Sequence, residues 1–189
     1  PGGESFVRQG LYSQRYFLEK FGVMAKTGYN VDSFGHCGSL PQILAKSGME
    51  NYIFMRPMPL EKGLPSRIFW WKSQDGSRVL TYRIPYEYCS SGKGLDTQLN
   101  RLLNELEEGE DELMLFYGVG NHGGGPTKEN IRSIHELDAR SDTPVMKMTT
   151  TDAFFTDIRS SGKELPVVES DLQHHASGCY SVHSGVKRM

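Results

Sequence analysis

The stretch Asn30-Val31-Asp32-Ser33-Phe34-Gly35-His36-Cys37-Gly38-Ser39, continued by Leu40-Pro41-Gln42-Ile43-Leu44-Ala45-Lys46-Ser47-Gly48, decides how the chain is read. Its first part is a short strand running into a glycine turn. Ser39 stands in the N-cap position of a helix over about 40–47, and Gly48 supplies the residue that ends it. Asn51-Tyr52-Ile53-Phe54-Met55-Arg56 follows as a strand of the fully buried type, stopped by Pro57. Strand, helix and strand in such short compass form a βαβ unit, and such a unit requires parallel strands.

The alternation continues in both directions. Upstream, Phe6, Val7, Leu11, Phe17, Leu18 and Phe21 recur at helical spacing over 5–21, with Gly22 at the C′ position. Downstream, Ile68 to Lys72 and Arg78 to Ile84 flank Asp75-Gly76, a strong hairpin signal. Leu95, Leu99, Leu102, Leu103 and Leu106 mark an amphipathic helix that Gly109 ends. Leu113 to Tyr117 reads as a strand, and Thr127 caps a helix bearing Ile131, Ile134 and Leu137. Val145 to Met148 is strand-like, Thr151 caps a helix carrying Phe154, Phe155 and Ile158 up to Gly162, and Leu165 to Val168 is a last strand. Asp171 to Met189 has no clear period. The expected class is α/β, with a mostly parallel sheet, open or closed. Right-handed crossovers place the loops 32–38, 56–66 and 118–126 on one rim, where such folds bind ligands.

The chain has 189 residues, 37% hydrophobic and 23% charged, with a net charge of −2, enough for one domain with a sizeable core. That balance gives no electrostatic reason for a nucleic-acid or membrane partner. No apolar run approaches the roughly 20 residues that span a bilayer. Pro1-Gly2-Gly3-Glu4 has neither a basic n-region nor an apolar h-region, so no signal peptide is expected in it. Cys37, Cys89 and Cys179 are odd in number and form no CxxC pair, which points to a reduced compartment such as a cytosol. A start without Met and the ending Val186-Lys187-Arg188-Met189 lead to the expectation of a piece of a longer polypeptide.

Three motifs carry chemistry. Gly118-Val119-Gly120-Asn121-His122-Gly123-Gly124-Gly125-Pro126-Thr127 contains a literal G-x-G-x-x-G after a strand. A dinucleotide fingerprint needs its helix to open within the glycines, whereas here two more glycines and a proline intervene. The favoured reading is a rim loop that brings Asn121 and His122 to a ligand. The Asp32 loop places a carboxylate at a strand end, where a nucleophile or metal ligand sits in barrel enzymes; the plain alternative is a turn cap. His36 reads as a ligand or, more simply, as a structural histidine that orients the loop. Gln173-His174-His175, with Cys179 and His183, gives three imidazoles in a short span, but adjacent histidines do not both readily face one ion, and no spacing matches a structural zinc site.

The segment Asn30 to His36 resembles the D-P/S-F-G-H segment of the family 38 α-mannosidases. Further likenesses follow in chain order. Gly3-Glu4-Ser5-Phe6-Val7-Arg8-Gln9 looks like G-E-S-x-V-R-Q, Leu40 to Leu44 with Gly48 like the helix after the nucleophile, and Arg56 like a substrate-site arginine. Gly118 to Thr127 resembles G-x-G-D-x-G-G-G-P-T, and Asp171 to Arg188 the stretch before a K-R helix. The likeness covers nearly the whole chain, and its spellings are most similar to the bacterial branch.

The resemblance implies a central and C-terminal piece, residues 1–189, of a catalytic domain that is a seven-stranded β/α barrel. It implies a zinc-dependent hydrolase of α-mannosidic linkages that works with retention on mannose-containing oligosaccharides or glycosides. Asp32 is then nucleophile and zinc ligand, a covalent glycosyl-aspartate forms, and Arg56 and Tyr88 line the mannose pocket. The family's early H-x-D and late F-H-D or H-H-D segments are not in this sequence, so the other zinc ligands are expected outside it. Related loops often carry Asp where Asn121 stands, and an amide donates no proton as a general acid. His122 beside it is the candidate acid, with Asn121 binding substrate. The piece alone is expected to be inactive, and the intact enzyme cytoplasmic. Two other classes stay open: a nucleotide-binding protein using the Gly118–Thr127 loop, and a carbohydrate-binding module without catalysis.

Overall fold

The structure is a computed structural model that describes residues 2–106, 109–120, 123–174 and 185. Its elements are α1 (Gly3–Phe21), β1 (Thr27–Asn30), α2 (Leu40–Lys46), β2 (Asn51–Phe54), β3 (Ile68–Lys72), β4 (Arg78–Arg83), α3 (Asp96–Leu103), α4 (Lys128–Asp138), α5 (Thr151–Ser160) and β5 (Val167–Val168). The strands make one sheet in the order β1-β2-β4-β3-β5. β1 runs parallel to β2, β2 to β4, and β3 to β5. The hairpin β3–β4 is antiparallel, with Gly76 at φ 85° closing its turn.

β2 is buried at every residue, as its unbroken apolar run requires. Because successive side chains alternate, the sheet has two apolar faces. Ile53, Met55, Leu80, Tyr82 and Ile84 pack against Phe154, Phe155 and Ile158 of α5. Tyr52, Phe54, Phe69, Trp71 and Val79 pack on the opposite face against Leu44 of α2. Leu95 and Leu99 meet Ile134 and Leu137 of α4 in a third, smaller core.

α1 ends at Gly22, whose φ is 72°. The residues it buries are Gly10 and Gln14. Gln14 Nε2 donates to the carbonyls of Ala25 and Ser47, and its Oε1 accepts from Ala25 N–H, which ties α1 to the end of α2. The apolar stripe that identifies α1 in the sequence, from Phe6 to Phe21, lies exposed.

Several sequence expectations are corrected. The first strand is Thr27–Asn30, so Asp32 lies beyond its end and not within it. Ser39 makes no side-chain cap bond; its hydroxyl faces Cys37 Sγ at 3.5 Å. α3 stops at Leu103, well before Gly109. Thr150, not Thr151, caps α5 by accepting from Ala153 N–H. Neither 113–117 nor 145–148 is a strand. Side chains use backbone groups that a ladder would have used: the Tyr82 hydroxyl accepts from Met114 N–H and donates to Met114 C=O, and Gln98 donates to Phe116 C=O. Met146 N–H is taken by Asp138. A groove of about 740 Å³ separates the two segments, lined by Leu102, Leu115, Tyr117, Ile134, Met146 and Phe154 among others. Among the described residues the sheet is therefore five-stranded.

Candidate active site

Two loops leave neighbouring parallel strands at the same end and meet. Asp32 follows β1, and Arg56 follows β2. Arg56 Nε donates to Asp32 Oδ1 at 2.8 Å, and Arg56 Nη1 lies 3.5 Å from Glu61 Oε1. The guanidinium sits 5.6 Å from the centre of the Phe34 ring. Side-chain exposure rises from 22% at Glu61 through 27% at Arg56 to 55% at Asp32, so the carboxylate presented outward is Asp32.

The loop under Asp32 is fixed by His36, which is 4% exposed. Its Nε2 lies 2.8 Å from the Arg56 carbonyl and its Nδ1 2.9 Å from the Tyr52 hydroxyl. A carbonyl only accepts, so Nε2 carries the proton and Nδ1 accepts from Tyr52. Burial favours the neutral ring and holds the pKa of His36 below its ordinary value, partly offset by the hydrogen bond to the Arg56 carbonyl, which favours the protonated form. His36 is thus the structural histidine of the two readings. Leu172 and His36 also exchange backbone hydrogen bonds, and Lys62 Nζ donates to the carbonyls of Asp171 and Gln173, which moors the second loop.

The glycine-rich loop meets a different segment. Gly118 N–H donates to Ser90 Oγ, Ser90 N–H to Gly118 C=O, and Val119 N–H to Gly125 C=O at 2.9 Å. A Cβ at Gly120 would stand 2.4 Å from Cys89 Cβ, and one at Gly124, whose φ is 143°, would stand 2.5 Å from the Val119 carbonyl oxygen. Close backbone approach accounts for these glycines without a phosphate. α4 opens only at Lys128, its first turn closed by the reciprocal Thr127–Asn130 capping box. The fingerprint therefore does not lie at a helix N-terminus, and the dinucleotide reading loses its structural basis.

Tyr88 is half-buried beside this loop and packs on the core shared with Val31 and Phe116. Tyr29 of β1 stands 6.1 Å from Phe116, ring to ring. Burial first, then Tyr88 and Cys89, push the Tyr29 phenol up to about 12. Asn121 and His122 lie outside the described residues, as do His175, Cys179 and His183. The described contacts join loop 32–38 to loop 56–62, and Gly118 to Gly120 to Ser90, Cys89 and Tyr88; they record no direct contact between Asp32 and the glycine loop. Among the described residues no group of three or more His, Cys, Asp or Glu is arranged to hold a metal ion. Asp32 is a single carboxylate with one oxygen already on Arg56, which alone does not fit zinc.

Of the residues singled out in the sequence, the structure brings Asp32 and Arg56 together and sets Tyr88 beside the glycine loop instead; Glu61, which the sequence analysis did not single out, joins the first pair. Its only local signal is the turn Arg56-Pro57-Met58-Pro59-Leu60-Glu61, whose prolines fix the loop's course.

Comparisons with known proteins place the chain. Residues 1–176 match the glycosyl hydrolases family 38 N-terminal domain. Alpha-mannosidase 2C1 of Homo sapiens is 29% identical over 192 aligned residues, which take in 100% of this chain and 18% of that protein. Alpha-mannosidase G of Dictyostelium discoideum is 32% identical over 192 residues, again 100% of this chain and 18% of the relative. The fold is like that of an alpha-mannosidase from Enterococcus faecalis V583, with a TM-score of 0.69 at 19% identity over 89% of this chain and 20% of that one. The chain thus spans about a fifth of the length of these relatives. On the strength of the match over residues 1–176, the chain belongs to glycosyl hydrolase family 38, within the family's N-terminal domain.

Proposed function

We propose that the whole protein hydrolyses α-mannosidic linkages in mannose-containing oligosaccharides or glycosides, with retention, and that Asp32 is its nucleophile. The observation that carries this reading is the Asp32 carboxylate, exposed beyond the end of β1 and held at 2.8 Å by Arg56 from the neighbouring strand. A carboxylate suits an oxocarbenium-like transition state and forms a covalent glycosyl ester that water then opens. The relatives' names supply the substrate class. Arg56 and Tyr88 bind the sugar in this reading, while Asn121 contacts substrate and His122 is the candidate proton donor. The zinc requirement belongs to the proposal too: Asp32 provides one donor and residues outside this chain provide the rest, so no step is derived through the metal. Closure of the intact domain into a seven-stranded barrel is likewise proposed. A cytoplasmic location is supported by the free thiols of Cys37 and Cys89. No helix among the described residues is long and apolar enough to cross a membrane.

The test is Asp32→Ala in the full-length protein. Turnover of an aryl α-mannoside should fall about a thousandfold or more. Because Asp32 is exposed and its ion pair is worth only about 0–1 kcal/mol, the melting temperature should hardly move. Azide should restore sugar release and give a mannosyl azide of inverted anomeric configuration. Activity within about tenfold of wild type would overturn the assignment.

A further inference from the structure

We infer that Glu61 is a positioning residue, which holds the Arg56 guanidinium in the orientation that addresses Asp32. The inference rests on the nucleophile reading and adds a residue that neither the motifs nor the comparisons single out. The two oxygens of Glu61 do different things. Oε2 accepts from Met58 N–H at 2.7 Å, and Glu61 N–H returns a bond to Met58 C=O at 2.9 Å, which closes the turn. Oε1 is left facing Arg56 Nη1 at 3.5 Å. The arginine is then fixed on several sides. Nε points to Asp32 at 2.8 Å, Nη1 to Glu61, the Phe34 ring lies 5.6 Å from the guanidinium, and its own carbonyl is held by His36 at 2.8 Å. Lys62, next in sequence, anchors the turn to the carbonyls of Asp171 and Gln173. Glu61 therefore does not float in solvent.

The reaction supplies the reason for a second carboxylate. One Asp32 oxygen gives an electron pair to the anomeric carbon as that carbon's bond to the leaving oxygen breaks. The leaving oxygen keeps the electrons of the broken bond and takes a proton from the site's general acid. Asp32 is now a neutral ester. Arg56 at that moment loses the anion it was paired with, and a cation without a counter-charge shifts toward water or another partner. Glu61 keeps one negative charge on the guanidinium throughout. Water next adds to the anomeric carbon and gives its proton to the conjugate base of that acid, while Asp32 departs with the electrons of the ester bond as a carboxylate, onto an arginine still in place. Glu61 acts through Arg56 and does not touch the reacting atoms.

Glu61→Gln separates the two jobs, because the amide oxygen still accepts from Met58 N–H while the charge facing Arg56 is removed. In the full-length protein, kcat should fall about tenfold to a hundredfold with KM changed far less, as small misplacements cost rates of that order. Glu61→Asp should recover part of the loss. In an Arg56→Ala background Glu61→Gln should cost nothing further, a non-additivity that a merely structural role would not give. Wild-type kcat in Glu61→Gln, or an equal loss with and without Arg56, would overturn the inference. If Glu61→Gln does not fold, Glu61→Asp takes its place in the cycle. Asp32→Ala is assayed alongside. An inactive Asp32→Ala with an unaffected Glu61→Gln removes Glu61 alone, whereas an active Asp32→Ala removes the nucleophile reading and this inference with it.

Discussion

The loop system around Asp32 and the one around Gly118 are held by opposite means. Around Asp32 the shape comes from polar side chains: His36 on the Arg56 carbonyl, Arg56 on Asp32, Glu61 on Arg56, Lys62 on distant carbonyls. Around Gly118 it comes from missing side chains, which let backbone lie against backbone at Val119–Gly125 and against Cys89. The first system should therefore be sensitive to lost hydrogen-bonding groups. The second should be sensitive to added atoms.

The sharpest way to break this contrast is His36→Ala. It strands the Arg56 carbonyl, takes one hydrogen bond from the Tyr52 hydroxyl and opens a void, for an expected loss of about 3–4 kcal/mol in denaturant unfolding. Acid should reveal the same residue. Burial holds the folded pKa of His36 below the unfolded value of 6.5, so below that pH the unfolded state binds a proton that the folded state refuses. The stability contributed by neutral His36 is full above about pH 6.5 and drains away as pH falls toward the folded pKa. His36→Ala should flatten the pH dependence of stability in that window. A slope identical to wild type would mean that another group sets it.

In the glycine loop the converse change is Gly124→Ala. The added methyl would meet the Val119 oxygen at 2.5 Å at a φ of 143°, and a loss of about 1–3 kcal/mol is expected. Gly125→Ala is the control, since nothing lies within 4 Å of its Cβ position, and it should stay within about 0.5 kcal/mol of wild type. Equal effects at the two positions would erase the contrast. Apart from that control, the smallest effect is expected of Thr127→Ala, which removes the hydroxyl that accepts from Asn130 N–H and should cost about 1 kcal/mol, readable as a small drop in melting temperature.

What the sequence made legible was local. The Asp75-Gly76 turn, the Thr127 cap, the Gly22 stop and the apolar run of β2 each announce themselves within a few residues, and each stands where expected. Asp32 was legible as a candidate from its place after a strand and before a glycine turn, and Arg56 through the resemblance to the family. Whether a strand-type segment finds a partner is not local. Leu113 to Tyr117 has the composition of a strand, yet its backbone is claimed by Tyr82 and Gln98. The stripe on α1 likewise identified a helix but not what covers it: spacing fixes a face, and only the surroundings bury it. Glu61 left only a proline-bearing turn as a trace, because its ion pair joins two points of one loop that no short motif encodes.

Tyr82 shows how much can hang on one oxygen. It serves the amide and the carbonyl of a single residue, Met114, at once. Burial pushes its phenol far above the usual tyrosine range. Alkali strong enough to ionise ordinary tyrosines should leave this rivet shut, so in an ultraviolet titration Tyr82 should stay silent until the fold itself gives way.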